Sequence, residues 1–280
     1  MNFPFFLFMK LLPKCAVSRA FGSLTRLRVP LLSALARNWF ASHYKLDMAE
    51  AEHDLAHYRN IAELFIRRLK PGARPIAKAF VVSPVDGVMS QAGKNSEMLQ
   101  AKGKTYTLAS LLKDGELAKA FEGGSYATIY LAPFNYHRIH SPVGGALVAA
   151  SYIPGTLWPV NKGSVERVEN LFCVNERLIS RLACGEGREI LVVKVGATNV
   201  GRIAVEYSQG ILTNAGKLPR SLERFDWKPH SEIRFEKGAE LGRFEMGSTV
   251  ILVANKKLSD AFPGLFTSRV GQAVRVGEAL

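Results

Sequence analysis

The chain has 280 residues, 48% of them hydrophobic, so it is long enough and apolar enough to bury a full core, which excludes a disordered or fibrous protein. The 3 cysteines lack metal-ligand spacing and are too few for a disulfide framework, which favours a reducing, cytoplasm-facing compartment. The formal net charge of +13 favours an anionic partner, either a nucleic acid or an acidic lipid surface.

The N-terminal segment carries more than half of this excess charge. Residues 1–46 contain 7 Lys and Arg and no Asp or Glu. The apolar run from Phe3 to Met9 stops at Lys10, far short of the roughly 20 residues that a membrane-spanning helix needs. The charges also follow the apolar run, which is not the order of a secretory signal. We therefore expect this segment to stay attached and not to cross a bilayer.

Two amphipathic helices are predicted within this segment, the first with Arg19 and Arg26 opposite its apolar face and the second opening at Pro30. Their apolar faces comprise Val17, Ala20, Phe21, Leu24 and Leu27, then Leu31, Leu32, Leu35 and Trp39. Basic helices of this kind lie in a membrane interface and attract anionic lipid. Two alternatives remain open: helices packed on the domain with their basic faces solvated, and a removable mitochondrial transit peptide.

The remainder of the chain predicts one long helix followed by a β-rich domain. Apolar residues recur at helical spacing from Asp47 to Leu69, before the stop signal Lys70-Pro71-Gly72. Short β-prone runs then follow, at residues 80–82, 126–131, 146–153, 171–174, 190–195, 202–207 and 249–254. No phosphate-binding glycine motif or internal repeat occurs. We expect an α+β fold in which N-terminal amphipathic helices precede a predominantly antiparallel β catalytic domain.

Three segments contain residues that can carry chemistry. Asp86 occupies the turn Ser83 to Gly87, His137 and His140 lie three apart at a predicted strand end, and Ser248 follows Gly247 just before an apolar strand. A histidine oriented by a carboxylate can act as a general base toward a hydroxyl, and a serine after glycine can attack the preceding carbonyl.

Each segment also has a plainer interpretation. Asp before Gly is common in turns, the two histidines could be surface loop residues, and Gly-Ser-Thr is usually only a turn. A zinc site at His137 and His140 lacks a third and fourth ligand at useful spacing, so we expect no metal.

Taken together, these segments resemble the pyruvoyl-dependent phosphatidylserine decarboxylase family, in the same order and over nearly the whole chain. Six collinear motifs carry the resemblance: residues 65–75, 83–87, 136–140, Phe172 with 175–177, 194–197 and 247–249. The basic amphipathic N-terminus is similar to the membrane-binding helices of bacterial members. The chain has Met246 where the family commonly has Leu, a change of little volume.

The resemblance implies a specific maturation. Asp86 orients His140, which takes the hydroxyl proton of Ser248, and the chain cuts itself between Gly247 and Ser248 into a β chain, 1–247, and an α chain, 248–280. Ser248 becomes a covalent pyruvoyl cofactor that forms a Schiff base with phosphatidylserine, and loss of CO2 gives phosphatidylethanolamine. By the same resemblance His137 serves decarboxylation.

The resemblance also implies an organisation for the protein. Residues 1–46 would be membrane-binding helices and 47–280 the decarboxylase domain, peripheral on the cytoplasmic face of a bacterial inner membrane. Phosphatidylserine, an anionic membrane surface and the two chains of one precursor are the expected partners; a homodimer is compatible with it, and no nucleic acid is expected. Three rivals stay open, namely a pyruvoyl decarboxylase for another amine, a non-enzymatic β-rich carrier module, and a catalytically inactive membrane scaffold.

Overall fold

The computed structural model describes residues 3–198, 202–214, 225–245 and 249–280. Helices occupy Phe3–Leu11 (α1), Lys14–Thr25 (α2), Pro30–His43 (α3), Ile61–Phe65 (α4), Leu108–Leu112 (α5), Gly115–Phe121 (α6), Lys162–Val165 (α7), Leu171–Val174 (α8) and Lys256–Ala261 (α9). Single 3₁₀ turns lie at Leu55–His57 and Thr267–Arg269.

Strands follow α4 through the rest of the described chain. They are Gly87–Lys94 (β1), Met98–Ala101 (β2), Lys104–Tyr106 (β3), Ser125–Tyr130 (β4), Arg138–His140 (β5), Gly145–Ile153 (β6), Arg177–Ala183 (β7), Glu189–Val195 (β8), Ile203–Val205 (β9), Ser208–Leu212 (β10), Phe225–Trp227 (β11), Arg234–Phe235 (β12), Glu240–Phe244 (β13), Thr249–Ala254 (β14) and Ala273–Val274 (β15). The expected α+β class, with helices first and an antiparallel β domain after them, is confirmed.

A large antiparallel sheet forms the centre of the β domain. Its strand order is β11-β6-β7-β8-β14-β4-β1-β15, with β12 also paired to β6. β14 lies between β8 and β4, with Thr249 opposite both Val195 and Tyr130. A second sheet has the order β10-β9-β13-β5, and β2 with β3 forms a hairpin. A central strand must be apolar on both faces, and every residue of β14 is buried.

Two hydrophobic cores cover the two faces of the large sheet. Alternate residues of β14 divide between them, because successive side chains of a strand point to opposite faces. Val250 and Leu252 pack in one core with Ile203 and Phe244 of the smaller sheet. Ile251 packs in the other core, which is covered by α5, α6 and α8. Full burial of each such side chain contributes about 1.5–3 kcal/mol to folding.

Three of the predicted elements were wrong. The predicted strand 80–82 is irregular and has only an isolated bridge, from Val82 to Ala279. The segment 47–69 is not one helix: an antiparallel bridge joins Ala51 to Leu69, and only a 3₁₀ turn and α4 are helical. Asn60, in extended conformation, caps α4 and accepts a hydrogen bond from the backbone of Glu63. The predicted strand 171–174 is α8, because a short, wholly apolar run has no period to distinguish a strand from a buried helical turn.

The predicted amphipathic helices are present as α2 and α3. α3 buries Phe40 and Ala41 together with Ser33, whereas α2 turns polar side chains toward the domain. The buried residues of α2 are polar: Lys14, Ser18 and Thr25. The exposed residues of α1 to α3 and their connections are largely apolar: Leu7, Phe8, Leu11, Leu24, Leu27, Val29, Leu31, Leu32, Leu35 and Trp39. Within the described part of the chain, no helix is long and apolar enough to cross a membrane.

Candidate active site

Asp86 is held in its turn by a dense set of hydrogen bonds. Its carboxylate accepts bonds from Arg74 Nε at 3.0 Å and Nη2 at 2.6 Å, and from the backbone N–H of Val276 at 2.8 Å. Gly87 follows because a Cβ there would collide with the carbonyl oxygen of Tyr130. Burial acts to lower the pKa of Arg74, but its bonds to Asp86 and Glu50 outweigh it and raise that pKa.

His140 ends β5 beside this turn. Its backbone N–H donates to Pro84 O at 2.8 Å, which ties the strand to the Asp86 turn. The ring nitrogen Nδ1 lies 2.7 Å from Gly238 O, and Nε2 lies 3.2 Å from the Tyr136 hydroxyl. A carbonyl oxygen can only accept, so Nδ1 carries the hydrogen and Nε2 of the neutral ring is an acceptor. This is the tautomer that a general base requires.

Burial favours the neutral form of this imidazole. Burial lowers the pKa of His140, while the bond to Gly238 and the charges of Glu240 and Asp86 oppose that shift. Among the described residues no hydrogen bond joins Asp86 to His140; the hydrogen bonds of Asp86 go to Arg74 and Val276. The two groups therefore interact through charge.

His137 has a different environment. It is completely buried, Nδ1 lies 2.8 Å from Asn135 O, and its ring is 3.9 Å from the Phe65 ring, centroid to centroid. Nε2 has no hydrogen-bond partner in the described structure. Burial, together with the charge of Arg67, lowers the pKa of His137 to about 3. The ring is thus neutral, with one nitrogen available.

Gly247 and Ser248 lie outside the described residues, but the chain on both sides of them is described. On one side, the Phe244 N–H donates to His137 O at 3.0 Å. The Glu245 carboxylate lies 2.5 Å from Arg26 and 3.2 Å from Arg202. On the other side, Thr249 begins the central strand β14. The described flanks thus adjoin the His137 end of β5 on one side and the middle of the large sheet on the other.

Sequence patterns gave no role to three side chains that shape this region. Arg74 binds Asp86, Tyr136 meets His140, and Arg67 is buried near His137. All three lie within motifs on which the family resemblance is based, but the resemblance assigned no role to them. A signal was available only for Arg67, which stands with Arg68 just before the Lys70-Pro71-Gly72 stop, a place where charges usually remain in solvent.

Comparisons with known proteins show the family of the chain. The family model described as phosphatidylserine decarboxylase matches residues 61–280. A protein of Myxococcus xanthus (strain DK1622) is 49% identical over 254 residues, which cover 89% of this chain and 88% of that protein. One from Anaeromyxobacter sp. (strain K) is 48% identical over 279 residues, with 97% and 95% covered. One from Methylobacillus flagellatus is 41% identical over 276 residues, with 96% and 95% covered. All three are named phosphatidylserine decarboxylase proenzyme.

Proposed function

Because the chain belongs to the phosphatidylserine decarboxylase family, we propose that it converts phosphatidylserine to phosphatidylethanolamine with a pyruvoyl group made from its own Ser248. The observation that carries the proposal is His140, a neutral imidazole whose Nδ1 is committed to Gly238 O and whose Nε2 remains an acceptor. An acceptor nitrogen of this kind is what a serine needs to become a nucleophile.

The self-cleavage begins with His140. Its Nε2 accepts the proton of the Ser248 hydroxyl and Oγ bonds to the Gly247 carbonyl carbon. The peptide C–N bond then breaks as its nitrogen takes that proton back from His140, which leaves an ester and a free amine on Ser248. Loss of the Ser248 Cα proton then breaks the Cβ–Oγ bond, which releases Gly247 as a carboxylate and leaves dehydroalanine. Tautomerisation and hydrolysis consume one water, release ammonia and leave the pyruvoyl group. Asp86 favours the first step, since its negative charge stabilises protonated His140.

The surroundings of the cleavage site fit a pyruvoyl group. Such a group supplies a ketone carbonyl and an electron sink for decarboxylation. Among the described residues, Nε2 of His137 is a buried polar atom without a hydrogen-bond partner, which costs free energy until it finds one. We assign His137 the handling of a proton during decarboxylation, because its ring is neutral and its Nδ1 is already bonded to Asn135 O.

The N-terminal helices provide access to a lipid substrate. We propose that residues 1–46 bind the membrane surface and that 47–280 form the catalytic unit, peripheral on the cytoplasmic face of the inner membrane. The apolar residues that α1 to α3 leave exposed support this attachment, because an interfacial helix buries its apolar face among lipids. The alternative in which the helices keep basic faces in solvent explains less, since the exposed residues include Leu31 at 75% and Trp39 at 60%.

Intact mass under denaturing conditions tests the cleavage. We expect the wild type to give two fragments that divide after Gly247, the smaller one blocked to Edman sequencing and sensitive to borohydride. Ser248→Ala should give one uncut chain, and Ser268→Ala, which removes an exposed hydroxyl from the same fragment, should cut normally. A single chain in the wild type would refute the proposal.

The substrate is tested separately. Purified processed protein should release CO2 from phosphatidylserine in vesicles, and free serine should give none. Equal turnover of both would mean that the lipid part of the substrate is not recognised. It would support a soluble amine as the substrate.

A further inference from the structure

A cavity of about 430 Å³ lies on the face of the large sheet that α8 covers, and Phe172 of α8 lines it. Its lining also includes Val88, Tyr130 and Thr249, which lie directly opposite one another on the adjacent strands β1, β4 and β14. Residues opposite one another on neighbouring strands share a face of the sheet. Thr249 follows Ser248 in the sequence, so the cavity adjoins the start of the proposed α chain.

Two segments border the exposed side of this cavity, the hairpin of β2 and β3 and the segment of α7. Buried Gln100 of β2 joins them. Its Nε2 donates to Val165 O at 2.7 Å and to Val168 O at 2.6 Å, and its Oε1 accepts from the Leu171 N–H at 2.7 Å. These bonds fix the position of the hairpin relative to α7, and with it the charged residues that the two segments carry.

The charged residues of the described lining are Lys102, Lys162 and Glu166. Lys102 lies in the turn between β2 and β3, and Lys162 begins α7; both are exposed. Glu166 Oε2 lies 2.8 Å from Lys102 Nζ. This bond, together with the charges of both lysines, lowers the pKa of Glu166. Two positive charges and one negative charge leave this lining with a net charge of +1, which favours an anionic ligand.

The cavity lining leads directly to the N-terminal helices. Val160 lines the cavity, and Trp158, two residues earlier, stacks on Phe6 of α1 with the ring centroids 5.6 Å apart. Lys14 Nζ of α2 lies 4.1 Å from the centroid of the same Trp158 ring. α1 leaves Leu11 79% exposed. A membrane surface bound by α1 would therefore lie next to the cavity and would present lipid headgroups to it.

We propose that Lys102 and Lys162 bind the phosphodiester of phosphatidylserine in this cavity; this inference rests on the proposed function. The phosphodiester is an anionic group that the lipid has and free serine lacks. Its oxygens accept charge-assisted hydrogen bonds from ammonium groups. The two lysines therefore select a phospholipid over a free amino acid. Glu166 limits the affinity, because an incoming phosphodiester must compete with it for Lys102.

The uncharged part of the lining distinguishes a headgroup from free phosphate. Ser90 and Gln91 add polar side chains, while Val160 and Phe172 are apolar. Small-molecule sites combine an apolar lining with a few polar groups in this way, in volumes of roughly 300–1,000 Å³. Free phosphate would use the lysines alone, whereas the glycerol and serine parts of a headgroup also contact the other residues.

Calorimetric titration of the uncut Ser248→Ala chain with glycerophosphoserine, the soluble headgroup of the substrate, tests the assignment. We expect Lys102→Gln with Lys162→Gln to weaken binding by about tenfold, since each exposed charge contact contributes only a few-fold. Glu166→Gln frees Lys102 and should strengthen binding by about threefold. Lys119→Gln removes an exposed lysine of α6 outside the described lining and should change nothing.

The same titration can overturn the proposal in four ways. These are no binding by the Ser248→Ala chain, an unchanged affinity in the double lysine variant, weaker binding after Glu166→Gln, and binding of inorganic phosphate as tight as that of glycerophosphoserine. The last result would mean a general anion site.

Kinetics of the processed protein give a second test, with a short-chain, water-soluble phosphatidylserine so that vesicle binding does not contribute. The double lysine variant should raise KM by about tenfold with little change in kcat, and the difference from the wild type should shrink at high salt. A lower kcat at unchanged KM would overturn the proposal. Failure of the proposed function is recognised independently, because the wild type would then show a single mass, whereas the titration uses an uncut chain.

Discussion

The N-terminal helices leave many apolar side chains exposed, whereas the central strand β14 buries all of its side chains. All of β14 is buried, and its residues supply both cores. α2, in contrast, buries Lys14, Ser18 and Thr25, while leucines of α1 to α3 are exposed. A helix that turns its polar side inward would lose free energy in water, so the contrast supports the proposal that this region binds a membrane surface.

The largest expected effect concerns the β domain, which should keep its fold while losing its chemistry. His140→Ala removes the acceptor nitrogen, so we expect the rate of self-cleavage to fall by roughly 10²–10⁴-fold. A time course of chain cutting, followed by intact mass, measures this. Exposed His230→Ala is the control and should cut at the wild-type rate. Normal cutting of the His140 variant would remove it as the base.

The second effect concerns the helices, which should lose membrane binding while keeping the domain intact. Leu31→Ser with Leu35→Ser removes two side chains that are 75% and 60% exposed, so we expect vesicle binding to weaken by about 100-fold, at about 1.5 kcal/mol for each leucine. Sedimentation with anionic vesicles measures it. Leu99→Ser with Val270→Ser removes exposed apolar residues from the β domain and should leave binding unchanged. If the two double substitutions weaken vesicle binding equally, the N-terminal helices contribute no more to membrane binding than the β domain does.

The smallest effect concerns a charge inside the β domain. Lys194 is completely buried, donates to Ser180 Oγ at 2.6 Å, and has its pKa lowered by burial to about 7, from 10.5. In acid the folded protein must carry a buried ammonium, whereas lysine is neutral in both states well above pH 10.5. The penalty is therefore full below about pH 7 and disappears as the pH rises from about 7 toward 10.5.

We expect Lys194→Met to raise the free energy of unfolding by about 1–2 kcal/mol at pH 7, since a buried apolar side chain replaces a buried charge. Ser180 keeps its hydrogen bond to Tyr207. Denaturant unfolding at pH 7 and pH 10 measures the gain, which should shrink at the higher pH. A gain of the same size at both values would show that packing, and not charge, is responsible.

Sequence patterns predicted an element correctly where its side chains face one kind of environment. The runs that became β4, β6, β8 and β14 were predicted because they are short, β-prone segments separated by Gly and Pro. The run 171–174 has the same character but folds as α8, where Gln100 Oε1 accepts from the Leu171 N–H. That contact is 71 residues distant in the chain, so no local pattern could reveal it.

The candidate site also has features that the sequence predicted and features that it did not. Residues that carry chemistry by type, such as His140, could be proposed from the sequence, and their assignment stays a prediction. Which groups hold them could not be proposed. That Asp86 orients His140 stays a prediction, and the hydrogen bonds of Asp86 among the described residues go to Arg74 and Val276. The burial of Arg67 depends on tertiary packing, and a pattern of charged letters normally predicts a solvated surface.

The position of β14 in the middle of the large sheet changes what unfolding means for this protein. The chain folds once as a single molecule, with Thr249 hydrogen-bonded into a sheet between β8 and β4. Once it is cut after Gly247, unfolding would release two molecules, and recovering the sheet would require a second-order encounter that slows with dilution. A mature molecule would therefore persist by the slowness of its unfolding, and one that has unfolded at low concentration would not return.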